Sequence, residues 1–277
     1  MRKPPFFYRG KVALVTGASS GIGAALARSL AEQGALLTLA DIQEPPLHAL
    51  AEELSAMGTR VLVSRLDVAD ETAFQRLIER AVEEFGRLDV LINNAGIGVT
   101  GELSDMSSAD WREIRSVNLD AVVLGSMMAY RVMQKQQTGH IINVASIAAF
   151  FPYPLHTLYA ATKCAVVAFS TTLRLEAQTF GIRVNVVCPG PIDTPIFQAT
   201  RLVGFDREKT LRVFRYRRLP AEQAAEIILE RAARDEAVII CPPRYRWLWR
   251  ASRWFPWLLR PGLTRLLRDL RSCRLDA

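Results

Sequence analysis

Apolar positions fall into short β-branched runs separated by longer segments of helical periodicity. Val12 to Thr16 is the first such run, followed by glycines and a helical stretch to about Gln33. Residues 35–40, 60–66, 88–92, 140–145, 182–187 and 237–241 read as six more strands. Helix-patterned segments lie between them near 46–57, 70–85, 107–136, 157–180 and 220–234. Strands alternating with helices predict an α/β fold, a doubly wound parallel sheet covered on both faces, because each crossover packs its helix back on the sheet. No linker or repeat interrupts this rhythm before about residue 242. The expected organisation is one catalytic-type domain over 1–241 and a separate tail over 242–277.

Composition changes the picture mainly in that tail. Residues 241–277 hold nine arginines against Asp269 and Asp276, so the whole net charge of +7 sits there and residues 1–240 are neutral. Four of the five tryptophans (247, 249, 254 and 257) lie in the same segment. Half of the 277 residues are hydrophobic, which excludes global disorder, and apolar runs stay short of the roughly 18 to 20 residues of a membrane span. Met1 to Gly10 is too short and proline-broken for a secretory signal. Cys164, Cys188, Cys241 and Cys273 form no CxxC pair, and with three scattered histidines they make no metal pattern. A reduced, cytoplasmic chain is expected.

Candidate chemistry begins after the first strand, at Thr16-Gly17-Ala18-Ser19-Ser20-Gly21-Ile22-Gly23. Glycines permit a tight turn and let the backbone approach a pyrophosphate at the next helix N-terminus. Asp41 ends the second strand about twenty residues on, where a carboxylate accepts bonds from ribose hydroxyls and repels a 2′-phosphate. Ser19 and Ser20 stand where a phosphate-binding arginine would otherwise be expected. Both features favour NAD over NADP. Tyr159 and Lys163 lie four apart, on one face of a helix. An ammonium near a phenol lowers its pKa toward that of a general base. Ser146, just past the fifth strand, is placed to bond a substrate oxygen.

These motifs, taken in order with Asp67-Val68, Asn93-Asn94-Ala95-Gly96, Asn118 and Pro189-Gly190, resemble the short-chain dehydrogenases/reductases over nearly all of residues 8–241. The resemblance implies a Rossmann-like sheet of seven strands and a catalytic tetrad of Asn118, Ser146, Tyr159 and Lys163. It further implies dinucleotide contacts from Gly17, Ser19, Ser20, Gly21, Ile22, Gly23, Asp41, Asp67, Val68, Asn94, Ala95, Gly96, Tyr159, Lys163, Pro189, Gly190, Ile192 and Thr194. Asp67 would meet the adenine edge, Thr194 the nicotinamide carboxamide, and Asn118 a water chain relaying a proton beyond the lysine. The reaction implied is hydride transfer between a secondary alcohol or ketone and NAD. Subunit pairing through the helices near 111–136 and 157–180 implies a dimer or tetramer.

A lid over about 191–219 carries Ile196, Phe197, Leu202, Val203, Phe205, Leu211, Val213, Phe214 and Tyr216, which suits a steroid, retinoid or lipid-like substrate. Its arginines (201, 207, 212, 215, 217 and 218) suit instead an acidic or acyl-carrier-bound substrate, for which an NADPH-dependent ketoreductase is the alternative. A non-catalytic dinucleotide-binding scaffold is the other. Tyr153 and His156 are expected to form an apolar wall, and Cys164 to pack away from the site. The tail admits three readings: contact with a membrane surface, packing on its own subunit or a neighbour, or nucleic-acid binding, disfavoured because no recognition module accompanies it.

Overall fold

The computed structural model describes residues 7–214, 217–255, 257 and 259–275. Its strands are β1 (Val12–Thr16), β2 (Leu36–Asp41), β3 (Val61–Arg65), β4 (Val90–Asn93), β5 (Val99–Gly101), β6 (Gly139–Val144), β7 (Ile182–Pro189), β8 (Ile192–Asp193), β9 (Arg201–Val203), β10 (Leu219–Pro220) and β11 (Val238–Cys241). Seven of them form one parallel sheet in the order β3-β2-β1-β4-β6-β7-β11. Its central strands are buried on both faces, which is why they read as unbroken apolar runs rather than alternating ones.

Helices cover both faces. On one lie α1 (Gly21–Glu32), α2 (Glu44–Ala56) and α9 (Ala221–Ala233), sharing a core through Leu26, Leu30, Leu47, Leu54 and Ile228. Alanines 24, 25 and 27 on α1 and 224, 225 and 232 on α9 are buried there, so these two helices pack closely. On the other face lie α3 (Glu71–Phe85), α5 (Ala121–Gln136) and α6 (Thr157–Ala177), around Phe74, Leu77, Ile78, Met128 and Ile141. Asp70 caps α3 by accepting from the Ala73 N–H, and Gly86 ends it in the left-handed region at φ 78°.

The predicted helical segment 107–136 is not continuous. A capping box of Ser107 and Asp110 starts α4 (Ser108–Arg115), and a π-helical turn over Ser116–Asp120 then separates it from α5. Such a bulge rotates side chains relative to a regular helix, and this one carries Asn118 inward to full burial.

β1 is flanked by β2 on one side and β4 on the other, so successive crossovers diverge there and leave a crevice at the carboxyl ends of the strands. The sequence motifs all lie at those ends. Beyond β7 the lid consists of β8, α7 (Ile196–Ala199), β9, α8 (Arg207–Val213) and β10; β9 pairs with β5, and β10 with β8. Of the lid residues named above, Arg215 and Tyr216 lie outside the described residues.

The tail forms two helices, α10 (Arg244–Trp254) and α11 (Arg260–Arg271). Leu266, Leu267, Leu270 and Cys273 pack on Leu202, Phe205, Val213, Phe214 and Leu155. Arg271 pairs with Glu102 at 2.6 Å and Arg274 with Asp105 at 2.9 Å. Part of the tail thus folds back on its own subunit. Phe205, expected in the apolar lining of the lid, is instead buried against α11.

Candidate active site

Close backbone approach explains the glycines after β1. Gly17 adopts φ +64°, and a Cβ there would stand 2.8 Å from Ala95 Cα. At Gly23 a Cβ would fall 2.0 Å from the Gly17 carbonyl oxygen. At Gly21, φ +53°, a Cβ would stand 3.0 Å from the Thr194 side chain, so the segment after Pro189 and Gly190 lies against the turn. Ile192 in that segment is buried, and Ile22 packs partly on the core.

α1 begins differently from α3. Ser20 stands at its N-cap without a side-chain capping bond, and its first turn holds no acidic residue. The first N–H groups, at the positive end of the helix dipole, are left for an anion. The Asp41 carboxylate accepts from Ser19 N–H and Gln43 N–H, both at 3.0 Å, fastening the turn to the end of β2. Asp67 is exposed and accepts from Ala69 N–H at 3.0 Å, while Val68 beside it is buried. These features fit a dinucleotide: a glycine cradle that any Cβ would fill, an uncapped helix start and a carboxylate at the strand end.

The turn after β4 is bolted to the turn after β1. Asn94 Nδ2 donates to the carbonyls of Thr16 and Gly17 at 3.0 Å each, and Thr16 Oγ1 accepts from the N–H groups of Asn94 (3.0 Å) and Ala95 (3.2 Å). Asn93 points the other way, into the core. Its Nδ2 donates to Asn143 Oδ1 (2.9 Å) and Ser126 Oγ (3.1 Å), and Asn143 Nδ2 donates to Ser170 Oγ (3.0 Å). Sequence reading missed this strut joining β4, β6, α5 and α6. The one signal was a polar residue inside each of two apolar strands, at 93 and 143.

Asn118, Ser146, Tyr159 and Lys163 come together around Gly96. A Cβ on Gly96 would lie 3.1 Å from Asn118 Oδ1 and 3.5 Å from Lys163 Nζ. Asn118 braces the backbone of Ile97 on both sides, accepting from its N–H and donating to its carbonyl at 2.9 Å each. Lys163 is buried, donates to the Val144 carbonyl at 2.9 Å and stands 5.8 Å from the centre of the Tyr159 ring. Ser146 stands beside Tyr159, close enough for its hydroxyl to favour the phenolate, and its Oγ accepts from Ala148 N–H at 3.1 Å.

The expected lowering of the Tyr159 pKa is not what this geometry gives. Burial pushes the phenol up from its ordinary value, and the neighbouring Ser146 hydroxyl offsets this only in part. Burial also pushes the Lys163 ammonium down, to about 8. Both charged forms lose solvation in the same enclosed place, and burial is the largest cause of each shift.

Cys188, which the sequence did not single out, lies beside this group. It is fully buried, close enough to Lys163 and the Ser146 N–H to feel both, yet burial pushes its thiol up to about 12, so it remains an uncharged wall. His156 is held by the Pro154 carbonyl at Nδ1 (2.9 Å) and Thr100 Oγ1 at Nε2 (3.4 Å). Its ring meets Tyr159 edge-on at 6.2 Å and Phe214 at 5.9 Å, and burial lowers its pKa. The wall expected from this segment is present. Cys164 instead faces solvent, and its thiol donates to the Ala149 carbonyl at 3.2 Å, because one step along the helix from Lys163 turns it off the packed face.

A groove of about 780 Å³ runs along the same segment. Phe150, Pro152, Pro154 and Leu155, between Ser146 and Tyr159, form one wall; Leu259, Leu263 and Leu267 of the tail form the other.

Known proteins share this arrangement. The family described as short chain dehydrogenase matches residues 11–202. A 3-oxoacyl-[acyl-carrier-protein] reductase of Thermotoga maritima is 36% identical over 231 residues, covering 83% of this chain and 93% of that protein. A 2,5-dichloro-2,5-cyclohexadiene-1,4-diol dehydrogenase of Sphingobium indicum is 40% identical over 187 residues, 68% of this chain and 75% of that one. Among solved structures, a short-chain dehydrogenase/reductase from Burkholderia phymatum in complex with NAD superimposes with a TM-score of 0.84 at 30% identity, over 93% of this chain and 96% of that one. The chain belongs to the short-chain dehydrogenase/reductase family, oxidoreductases that act on CH–OH groups.

Proposed function

We propose that this chain is an NAD-dependent oxidoreductase that interconverts a secondary alcohol and a ketone on an apolar substrate. The observation that carries the chemistry is Lys163 and Asn118 gathered around Gly96, with Tyr159 beside Ser146 and Lys163. Tyr159 takes the hydroxyl proton from the substrate, or returns it in reduction. Ser146 donates to the same oxygen as its charge develops. Lys163, with a pKa of about 8, holds or releases a proton beside the phenol at neutral pH, and Asn118 keeps the Gly96–Ile97 backbone in place and would help hold the water chain that relays that proton outward. His156, Phe214 and the burial around them exclude water.

Gly17, Ser19, Ser20, Gly21, Ile22 and Gly23 would hold the pyrophosphate of the dinucleotide. Asp41 would hold the adenosine ribose, Asp67 and Val68 the adenine, and Asn94, Ala95 and Gly96 the middle of the cofactor. Tyr159 and Lys163 would bind the second ribose, and Pro189, Gly190, Ile192 and Thr194 the nicotinamide end. When bound, the nicotinamide supplies the hydride acceptor or donor. Asp41 supports NAD over NADP, since a second negative charge would face a 2′-phosphate.

The substrate assignment rests on the apolar groove beside the segment that carries Tyr159. The second reading, an NADPH-dependent ketoreductase of acyl-carrier-bound substrates, has the 36% identical reductase in its favour. Four of the lid arginines weigh against it, because they are already engaged. Arg201 pairs with Asp110 and Glu113, Arg212 with Glu208 and Arg218 with Asp193, while Arg207 donates to the carbonyls of Gln198 and Thr200. Residues 1–241 would form the catalytic unit. A dimer or tetramer through α5 and α6 is supported by exposed Met127 and Leu175 on these helices. Peripheral association with a membrane through 242–277 completes the reading; among the described residues no helix is long and apolar enough to cross one.

Initial rates with NAD and NADP across apolar secondary alcohols, set against a 3-oxoacyl thioester with NADPH, test the proposal. Faster turnover of the alcohols with NAD supports it, and a preference for the thioester with NADPH replaces it by the second reading.

A further inference from the structure

α10 has two apolar faces, and only one of them is used. On the inner face Tyr245 lies against Gly190, and Trp249 meets Phe150 with ring centres 4.7 Å apart. On the outer face Trp247 is 73% exposed and Trp254 is 78% exposed; seven residues apart, they share one side of the helix. Leu248 is exposed as well. The patch continues past the helix end through Phe255 and Trp257, whose rings pack edge-on at 5.3 Å while Trp257 stays 61% exposed.

Cations surround these rings. Arg250 lies over the Trp247 ring at 5.6 Å. Arg246, Arg271 and Arg274 are neutralised by Glu236, Glu102 and Asp105. Among the described residues, Arg244, Arg250, Arg253, Arg260 and Arg268 have no carboxylate at ion-pair distance. An exposed aromatic stripe within an unpaired cationic field is costly to leave in water and is complementary to a surface with an anionic face and an apolar depth.

We propose that the outer face of α10, continued through Phe255, Trp257 and the start of α11, docks on an anionic lipid bilayer. This rests on the peripheral-membrane part of the function proposed above and adds to it the face, the lipid charge and the orientation. Tryptophan rings settle at the headgroup level, and each arginine near an anionic surface raises partitioning roughly fivefold. A second copy of the chain is a poor occupant, because a two-fold contact would set these unpaired arginines against their own symmetry mates. A nucleic acid would satisfy the charge but not the continuous apolar surface of Trp247, Leu248, Trp254 and Phe255. The orientation has a consequence for the groove. Trp257, Leu259 and Arg260 line both the groove and the docking patch, so a docked enzyme presents the groove mouth to the lipid.

The test is co-sedimentation of full-length protein with phosphatidylcholine vesicles containing 30% phosphatidylglycerol, and with pure phosphatidylcholine vesicles. Wild type, Trp247→Ser/Trp254→Ser and Arg250→Glu/Arg253→Glu are compared; all four positions are exposed and none lines the groove, and circular dichroism confirms that the variants fold. The expected result is binding to the anionic vesicles, at least tenfold weaker to neutral ones, and at least tenfold weaker in each variant. A blue shift of tryptophan emission on binding, absent in Trp247→Ser/Trp254→Ser, places the rings in the lipid. Equal vesicle binding by wild type and both variants leaves membrane association standing and overturns this face. No vesicle binding by wild type overturns both. Self-association lost in the tryptophan variant without vesicle binding assigns the face to a second copy, and single-stranded nucleic-acid binding without vesicle binding assigns it to that polymer. Either outcome overturns the proposal, and turnover of a soluble alcohol, unchanged in every variant, keeps these outcomes separate from the catalytic reading.

Discussion

Asn118→Ala separates positioning from proton relay. Asn118 is fully buried, and its side-chain amide makes two 2.9 Å bonds with the backbone of Ile97, one in each direction. The alanine variant leaves the Ile97 N–H and C=O without these partners in an enclosed place. A buried polar group left unpaired costs about 1–3 kcal/mol, so the pair costs about 2–4 kcal/mol after partial hydration of the vacated space. For a chain of this size each kcal/mol lowers the melting midpoint by about 2–4 °C, so a drop of about 5–15 °C is expected. Ile97 adjoins Gly96, where a Cβ would stand 3.5 Å from Lys163 Nζ, so a shift of this backbone reaches the lysine and turnover falls as well, by about 100-fold. Differential scanning calorimetry and initial rates on the same preparations give both numbers. A variant that melts within about 1 °C of wild type while losing activity refutes the bracing role and leaves only the relay.

Three further outcomes follow from other parts of the molecule. Gly23→Ala drives a Cβ to 2.0 Å from the Gly17 carbonyl, a backbone atom that cannot swing aside, so the variant loses dinucleotide binding measured by fluorescence titration; unchanged affinity contradicts the cradle. Asp41→Ala removes the acceptor of the Ser19 and Gln43 N–H groups and the negative charge facing a 2′-phosphate, so the NAD-to-NADP ratio of kcat/KM falls at least tenfold, and an unchanged ratio contradicts the assignment. His140, buried against Asn185 with Nδ1 unpartnered, has its pKa pushed by burial down to about 4 from 6.5. The unfolded chain binds this proton first as pH falls. Stability therefore declines between about pH 6.5 and pH 4, by about 3 kcal/mol, and is flat in this respect above 6.5. Urea titrations across that range show the slope in wild type and its loss in His140→Gln; equal slopes contradict it.

Much of this was legible in the chain because its signals are local. β1 and β4 are buried on both faces, so they announce themselves as apolar runs, and the glycines at 17, 21 and 23 stand at a readable spacing directly after β1, although what crowds Gly17 and Gly21 comes from residues 94–95 and 194. The four-residue spacing of Tyr159 and Lys163 is a property of any helix. What depended on distant packing was not legible. The π-turn that carries Asn118 inward interrupts a segment whose periodicity looks continuous from 107 to 136. The Asn93–Asn143 strut joins residues fifty positions apart. The direction of the Tyr159 shift depends on how deeply α6 lies against β7, which no spacing reports. The tail's division, with α11 folded over the lid and α10 half-bare, follows from leucines that match Phe205 and Val213 and from Trp247 and Trp254, which stay largely exposed.

The central claim is that Tyr159 exchanges a proton with an alcohol while NAD takes its hydride. The most direct test is the rate of NAD reduction by an apolar secondary alcohol in wild type and in Tyr159→Phe, with dinucleotide affinity measured in both. The account predicts turnover in wild type and a loss of at least about 100-fold in the variant, with the dinucleotide still bound. Equal turnover in the two proteins would contradict it.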